Sequence, residues 1–200
     1  MPSPRRMTGF TLVEMIGVLA IIGILAAVAT PRIFDAIRDS KISGFVQSAA
    51  TVRTAVATYY RDTGALPIHN AKSANANQHQ LMRLGTAVAG WKGPYLNEEM
   101  VNPFNGAGNF LVNRSTAAAQ QFDLDGNGAA DTTGQTAYIQ VDRLTYEQAR
   151  RISDVYDKDY ASTAAGNTAW YRAGRVKTNG GTAPATTSTN VTLLIHIASN

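Results

Sequence analysis

The first thirty residues separate into a short basic start and a long apolar run. Arg5 and Arg6 precede residues 10–30, which read FTLVEMIGVLAIIGILAAVAT and carry one charge, on Glu14. A helix of this length, at about 1.5 Å per residue, crosses a hydrocarbon core of about 30 Å. The pattern therefore predicts a transmembrane helix, and the two arginines predict that its N-terminus is cytoplasmic.

From residue 32 the apolar residues recur at every third or fourth position, as in an amphipathic helix. Gly64 and Pro67 mark its end. The pattern predicts one helix of about fifty residues, with its first part (10–31) in lipid and its second part (32–64) packed on a globular head. The predicted packing stripe comprises Phe34, Ile37, Phe45, Ala49, Val52, Val56 and Tyr59 or Tyr60, with Lys41 filling one gap.

The head, residues 65–200, alternates short β-branched or aromatic stretches with Gly, Asn and Thr clusters. These stretches predict strands at 109–113, 121–124, 137–141, 169–176 and 191–198. Residues 145–148, TYEQ, form a capping-box pattern that opens a helix to about Tyr156. A short helix is expected at 80–88 and surface loops at 71–80 and 178–190, and Trp91 and Tyr95 are expected to anchor the core. The predicted class is α+β, with a long N-terminal helix packed on an antiparallel sheet.

The amino-acid composition and the absence of catalytic motifs argue against several classes of function. The chain has no cysteine, which excludes disulfides, thiolate zinc sites and cysteine nucleophiles. The net charge is +4 with the basic residues scattered, so no nucleic acid partner is expected. His69, His79 and His196 stand apart in the sequence, and no G-x-S-x-G, H-E-x-x-H or P-loop pattern occurs. We therefore expect no enzyme activity.

Glu14 is the most informative residue of the chain. A carboxylate inside an apolar segment costs several kcal/mol unless it is paired, so its presence indicates a function. The alternative is that Glu14 lies near the membrane surface and reaches headgroup water. A cleaved secretory signal peptide is also open, since Ala26-Ala27-Val28-Ala29 offers a small-residue cleavage site, but the apolar run is long for one.

The segment Gly9-Phe10-Thr11-Leu12-Val13-Glu14 resembles the processing site of type IV prepilins and type II secretion pseudopilins. The resemblance implies that a prepilin peptidase removes residues 1–9 by cutting between Gly9 and Phe10, and that Phe10 is then methylated. It also implies a homo-oligomeric helical filament, an inner-membrane assembly platform, and a bacterial inner-membrane precursor that becomes a periplasmic or extracellular filament.

Within that resemblance, Glu14 is expected to pair with the α-amino group of Phe10 on a neighbouring subunit. Pro31 matches the family's usual proline. Together with Gly17 and Gly23, it predicts that residues 23–31 lose helical structure and become extended when the helix packs in a filament. A plain kinked membrane helix is the alternative.

Three functions stay open from the sequence. The first is a structural subunit of a type IV pilus or of a type II secretion pseudopilus. The second is a minor pilin at the filament tip with a binding role. The third is a signal-anchored membrane protein with a periplasmic binding domain, which would retain Arg5 and Arg6.

An acidic stretch at 123–134 is a candidate calcium loop. Asp123, Asp125, Asn127 and Asp131 occupy loop positions one, three, five and nine, and Asp142 is a further candidate ligand. Gly134 stands where an EF-hand has a bidentate glutamate, so the pattern is incomplete. An ordinary Asx-rich turn between strands is the alternative interpretation.

Overall fold

The computed structural model describes residues 9–70, 73, 75–83, 88–106, 110–125, 129–157, 169–172, 174–179, 181 and 183–199. The chain divides into two compact units, Met1–Ser40 and Lys41–Asn200. In the described residues the class is α+β, as the sequence predicts.

Helix α1, Leu12–Thr63, is 52 residues long and begins in the first unit. It ends where Gly64 adopts a positive φ of 70°, and the amide of Gly64 donates to the carbonyl of Tyr60 at 2.8 Å. A glycine in the left-handed region directly after the last helical residue is a common helix stop. The predicted helix of about fifty residues is confirmed, with its end at the predicted glycine.

The second unit contains a four-stranded antiparallel sheet in the order β1-β2-β4-β3. The strands are β1 Phe110–Ser115, β2 Thr136–Leu144, β3 Val176–Thr178 and β4 Val191–Ser199. Ile139 of β2 pairs with Ile195 of β4, which in turn pairs with Val176 of β3. The two long central strands, β2 and β4, are both rich in β-branched and aliphatic residues, as buried central strands usually are.

Within the second unit, the C-terminal part of α1 supplies the helical side of the core. Its buried residues are Ile42, Phe45, Ala49, Val52, Ala55, Val56 and Tyr59. They belong to one hydrophobic cluster with Val112, Ile139, Val141, Leu193 and Ile195 of the sheet. Helix α2, Tyr146–Tyr156, adds Ala149 and Ile152 to the same cluster. The predicted head stripe of the amphipathic helix is confirmed from residue 45 onward.

The segment around Gly90 closes over the end of α1. Gly90 has φ 80°, and a Cβ added there would lie 2.1 Å from the backbone oxygen of Asp62. The Trp91 indole donates to the Gln80 carbonyl at 2.9 Å, and the Tyr95 hydroxyl donates to the Asp62 carboxylate at 3.2 Å. Trp91 and Tyr95 pack against the core as predicted.

Two local predictions are wrong, and a third lies partly outside the described residues. Residues 121–124 form no strand, and 3-10 helix Ala118–Gln120 precedes them. The predicted strand at 169–176 is mostly replaced by 3-10 helix Ala169–Tyr171, with strand structure beginning only at Val176. The described start of the expected helix at 80–88 is a turn, and residues 84–87 lie outside the described part of the chain.

For residues 169–171, the physical reason for the difference is local packing. Trp170 packs edge-on against Tyr146 of α2, with ring centroids 5.7 Å apart, and against Tyr171 at 6.1 Å. Aromatic residues favour strands on average, but the Trp170 ring contacts the rings of Tyr146 and Tyr171, and residues Ala169–Tyr171 form a 3-10 helix. The capping box at 145–148, by contrast, is confirmed with both of its hydrogen bonds present.

Candidate processing and assembly site

The predicted cleavage point lies just outside the helix. Gly9, Phe10 and Thr11 precede Leu12, the first residue of α1. Phe10 is 83% exposed. Gly9 and Phe10 lie outside the helix and are both exposed, which is compatible with access by a protease.

Packing among the described residues does not require a glycine at position 9. A Cβ added to Gly9 would meet nothing within 4 Å among the described residues. The described residues therefore give no packing reason for a glycine at this position.

Thr11 and Glu14 form a capping box at the start of α1. The Thr11 amide donates to Oε2 of Glu14 at 2.7 Å, and the Thr11 hydroxyl donates to the same oxygen at 2.8 Å. In return the Glu14 amide lies 3.3 Å from the Thr11 hydroxyl oxygen, which accepts from it. This arrangement satisfies amides that the first turn of a helix leaves without partners.

The box fixes where the Glu14 charge lies. The carboxylate is held at the N-terminal end of the helix, where the helix dipole favours a negative group. The box uses the amide of Thr11 rather than any group before Phe10, so its atoms are all present in a chain that starts at Phe10. Both printed bonds from Thr11 go to Oε2, and a carboxylate has a second oxygen that can accept from an amine of another molecule.

The sequence reasoning identified Glu14 but missed its partner. Residues 11–14 read TLVE, the same S/T-x-x-E/Q pattern that was recognised at 145–148. The signal for this cap was therefore present in the sequence, inside the apolar run.

The apolar side chains of the first unit are exposed along its helix. Leu12, Val13, Leu19, Ile24 and Val28 each expose between 63% and 77% of their surface. Among the described residues, α1 is the one helix long and apolar enough to cross a membrane by length and composition. An apolar surface of this extent marks contact with lipid or with other protein.

Pro31 lies inside α1 without ending it. Proline has no amide hydrogen, so the carbonyl of Ala27 cannot receive the usual bond from residue 31. The neighbouring Thr30 hydroxyl donates to the Ala26 carbonyl at 2.6 Å. Residues 23–31 are helical in this single chain, and the extension expected on packing in a filament stays a prediction.

Three carboxylates of the acidic stretch come together. Oxygens of Asp123, Asp125 and Asp131 lie within 4.8 Å of one another. Oδ2 of Asp131 accepts from the amides of Leu124 at 2.6 Å and Asp125 at 3.0 Å. Hard oxygen donors in this number fit the first part of a calcium shell. Asp142 is not a member of this cluster, and Asn127 lies outside the described residues.

The histidines differ from what their sequence positions suggested. His69 and His79 are both buried, with ring centroids 5.8 Å apart, so they are not isolated surface residues. Neither ring nitrogen of His69 has a hydrogen-bond partner among the described residues. Burial, and secondarily the neighbouring His79, lowers the pKa of His69 to about 4. Burial likewise lowers the pKa of the half-buried His196 to about 4.

The N-terminal segment matches a known sequence motif. Residues 4–30 match the family model of the prokaryotic N-terminal methylation motif. This range contains Gly9, Phe10, Thr11 and Glu14.

The chain is also similar to curated pilins and fimbrial proteins. The chain is 39% identical over 88 residues to the fimbrial protein EcpC of Eikenella corrodens, covering 42% of this chain and 58% of the relative. It is 34% identical over 107 residues to the type IV major pilin protein PilE of Neisseria gonorrhoeae, covering 54% of this chain and 57% of the relative. It is 44% identical over 54 residues to the type IV major fimbrial protein FimA of Dichelobacter nodosus, covering 27% and 35%.

The chain therefore carries the N-terminal motif of the type IV pilin family and is similar to its fimbrial proteins. It spans little more than half the length of the first two relatives. These relatives are pilins and fimbrial proteins rather than enzymes, in agreement with the expectation from the sequence.

Proposed function

We propose that this chain is the precursor of a structural subunit of a type IV pilus. The helix of its first unit anchors the precursor in the bacterial inner membrane, with the N-terminus on the cytoplasmic side. A prepilin peptidase cuts between Gly9 and Phe10, and Phe10 is methylated. An assembly platform in the membrane then adds the processed chain to a helical filament of identical subunits.

The observation that carries this proposal is the motif at 4–30 together with the exposed apolar N-terminal part of α1. Both environments in the proposed life cycle, lipid before assembly and neighbouring helices afterwards, remove that apolar surface from water. The similarity to type IV major pilins supports a pilus over a secretion pseudopilus.

Glu14 has a defined task in this proposal. Inside a bundle of apolar helices, its carboxylate pairs with the α-amino group of Phe10 on a neighbouring subunit. A buried ion pair is a better determinant of register than of net stability, because desolvation offsets much of its attraction. Cleavage must precede assembly, since an intact leader leaves an amide at Phe10 in place of the charged amine.

Mass spectrometry of the sheared-filament and membrane fractions of the native cell tests the proposal. We expect an abundant chain in the sheared fraction that begins at methylated Phe10. The same processed chain confined to the membrane fraction would instead favour a pseudopilin or a scarce minor pilin. A chain that retains residues 1–9 in cells with active prepilin peptidase would contradict the proposal and favour a signal-anchored protein.

A further inference from the structure

A pair of buried histidines in the second unit has no role in the processing and assembly steps. His69 is 0% exposed and His79 is 2% exposed. Their rings are nearly perpendicular, at 88°, with centroids 5.8 Å apart. Buried side-chain nitrogens nearly always have a partner, so two imidazoles packed together in the interior need an explanation.

The backbone brings the two histidines together as a cross-strand pair. His69 bridges His79 in the antiparallel sense. The backbone hydrogen bonds between the two segments are made by the residues on either side of the histidines. These bonds run from the Asn70 amide to the Gln78 carbonyl at 2.6 Å and from the Gln80 amide to the Ile68 carbonyl at 3.2 Å. His69 and His79 are therefore a non-hydrogen-bonded pair, the kind in which facing side chains lie closest.

Hydrogen bonding decides which ring nitrogens can act as ligands. Nε2 of His79 lies 2.9 Å from the carbonyl oxygen of Ser73. A carbonyl oxygen only accepts, so Nε2 carries the hydrogen and Nδ1 carries the lone pair of the neutral ring. Both ring nitrogens of His69 are buried, and neither has a hydrogen-bond partner among the described residues. Each ring of the pair therefore offers one lone-pair nitrogen.

A metal ion accounts for these features together. A metal-bound histidine usually donates its other ring N–H to a carbonyl or carboxylate, as His79 does to Ser73. Two imidazoles that bind one ion at about 2.0–2.1 Å have ring centroids roughly 5–6 Å apart. The centroids of His69 and His79 are 5.8 Å apart. Imidazole is a ligand for Zn²⁺, Ni²⁺ and Cu²⁺, whereas Mg²⁺ and Ca²⁺ prefer oxygen.

We propose that His69 and His79 bind one late first-row divalent cation of the zinc class. The ion lies between the lone-pair nitrogens of the two rings, and water completes its coordination shell. The His69 backbone exchanges two hydrogen bonds with Val112 of β1, at 2.8 and 2.9 Å. The bound ion thus ties the segment that carries His79 to the edge of the sheet. A chain without cysteine gains in this way a cross-link that needs no disulfide.

Titration of Zn²⁺ into the full chain in detergent tests the proposal, at about pH 7.5, where histidine is ordinarily neutral. We expect one bound zinc ion that depends on the histidine pair. At a zinc concentration of about ten times its Kd, the melting temperature is expected to rise by about 3–6 °C. The same concentration of Mg²⁺ is expected to give no such rise through the histidines. A chain that binds no zinc would overturn the proposal.

The third histidine of the chain supplies the matched control. We expect His69→Gln and His79→Gln each to lose the zinc response, and His196→Gln to keep it. Asp123→Asn with Asp125→Asn is also expected to keep it, which separates the histidine pair from the acidic loop. Retention of the full response by His79→Gln, or its loss in the aspartate variant, would overturn the assignment to the histidine pair.

X-ray absorption at the zinc edge of the loaded natural chain gives a readout that does not depend on how the variants fold. We expect two imidazole ligands with Zn–N distances of about 2.0–2.1 Å. A shell of oxygen ligands alone would overturn the proposal and leave the two rings as a packed pair. The proposal does not rest on filament assembly, so its failure would leave the proposed function intact. Zinc binding by a chain that forms no filaments would support the metal site alone.

Discussion

Glu14 is held by Thr11 in the single chain and is proposed to meet an amine from another chain after processing. The local box gives the carboxylate two donors at 2.7 and 2.8 Å from Oε2. Such bonds lower the cost of keeping a charge near hydrocarbon until a partner arrives. The capping box with Thr11 requires only an acceptor oxygen at residue 14. The proposed ion pair with the amine of another chain requires a negative charge there.

Glu14→Gln separates these two requirements. Glutamine completes a capping box as glutamate does, but it carries no charge. We expect the variant to be processed and to stay in the membrane, with the sheared-filament yield lowered about tenfold or more through loss of the ion pair. Thr11→Ser, which keeps a hydroxyl at the cap, is the control and should assemble as the natural chain does. Natural filament yield from Glu14→Gln would contradict the proposed pairing.

At the scale of elements, Lys177 joins β3 to the connection between β1 and β2. Its Nζ donates to the carbonyl of Ala119 at 2.8 Å and also to the carbonyl of Gln121. The same atom lies 4.6 Å from the centre of the Phe122 ring. Lys177 is 5% exposed, and burial lowers the pKa of its amine to about 8.

Lys177→Met tests this attachment. Methionine fills similar space but leaves two carbonyls without their donor, so we expect the free energy of unfolding to fall by about 1–3 kcal/mol. Urea unfolding of the full chain in detergent measures the change. Lys92→Met removes a surface lysine and should have little effect. Equal stability of the two variants would show that Lys177 does not hold the connection.

The acidic loop belongs to the same connection, and calcium binding there stays a prediction. A ligand that binds only the folded chain raises its melting temperature. We expect millimolar calcium to raise the melting temperature and a chelator to reverse the rise. Asp123→Asn with Asp125→Asn should remove the response. A melting temperature that does not change with calcium would leave the ordinary Asx-rich turn as the explanation.

Long elements were predictable from the sequence because their signal is repeated many times. The 52-residue helix and strand β4 have apolar patterns that continue over several turns or alternations. Residues 169–175 were assigned wrongly, because Trp170 and Tyr171 carry a strand preference that packing against Tyr146 overrides. His69 lies next to His79 because the backbone of His69 bridges both His79 and Val112. No local sequence pattern predicts these long-range bridges.

At the scale of the whole molecule, His69 and His196 make the largest expected contribution to the change of stability with acid. His69 and His196 stay neutral in the folded chain down to about pH 4, whereas their ordinary pKa is 6.5. Between these values the unfolded chain binds more protons, so the free energy of unfolding falls as the pH falls from 6.5 towards 4. Burial raises the pKa of Asp157 to about 6 from 3.8, and Asp157 therefore acts in the opposite direction over that window.

Because two histidines oppose one aspartate, we expect net loss of stability on acidification. Unfolding of the full chain in detergent at a series of pH values between 4 and 7 measures it. His69→Gln with His196→Gln should flatten or reverse the slope, since only Asp157 of the three groups then remains. A natural chain whose stability rises steadily from pH 6.5 to 4 would contradict the assignment.

Gly9 and Gly90 differ in what prevents a side chain at each position, so they should tolerate different sets of substitutions. At Gly90 the chain itself forbids a side chain, since an added Cβ would lie 2.1 Å from a backbone oxygen. At Gly9 the described chain leaves open space, and the proposed restriction comes from another gene product. A saturation library scored for folding should therefore be depleted at codon 90 and unconstrained at codon 9. Scored for filament export, it should be depleted at both.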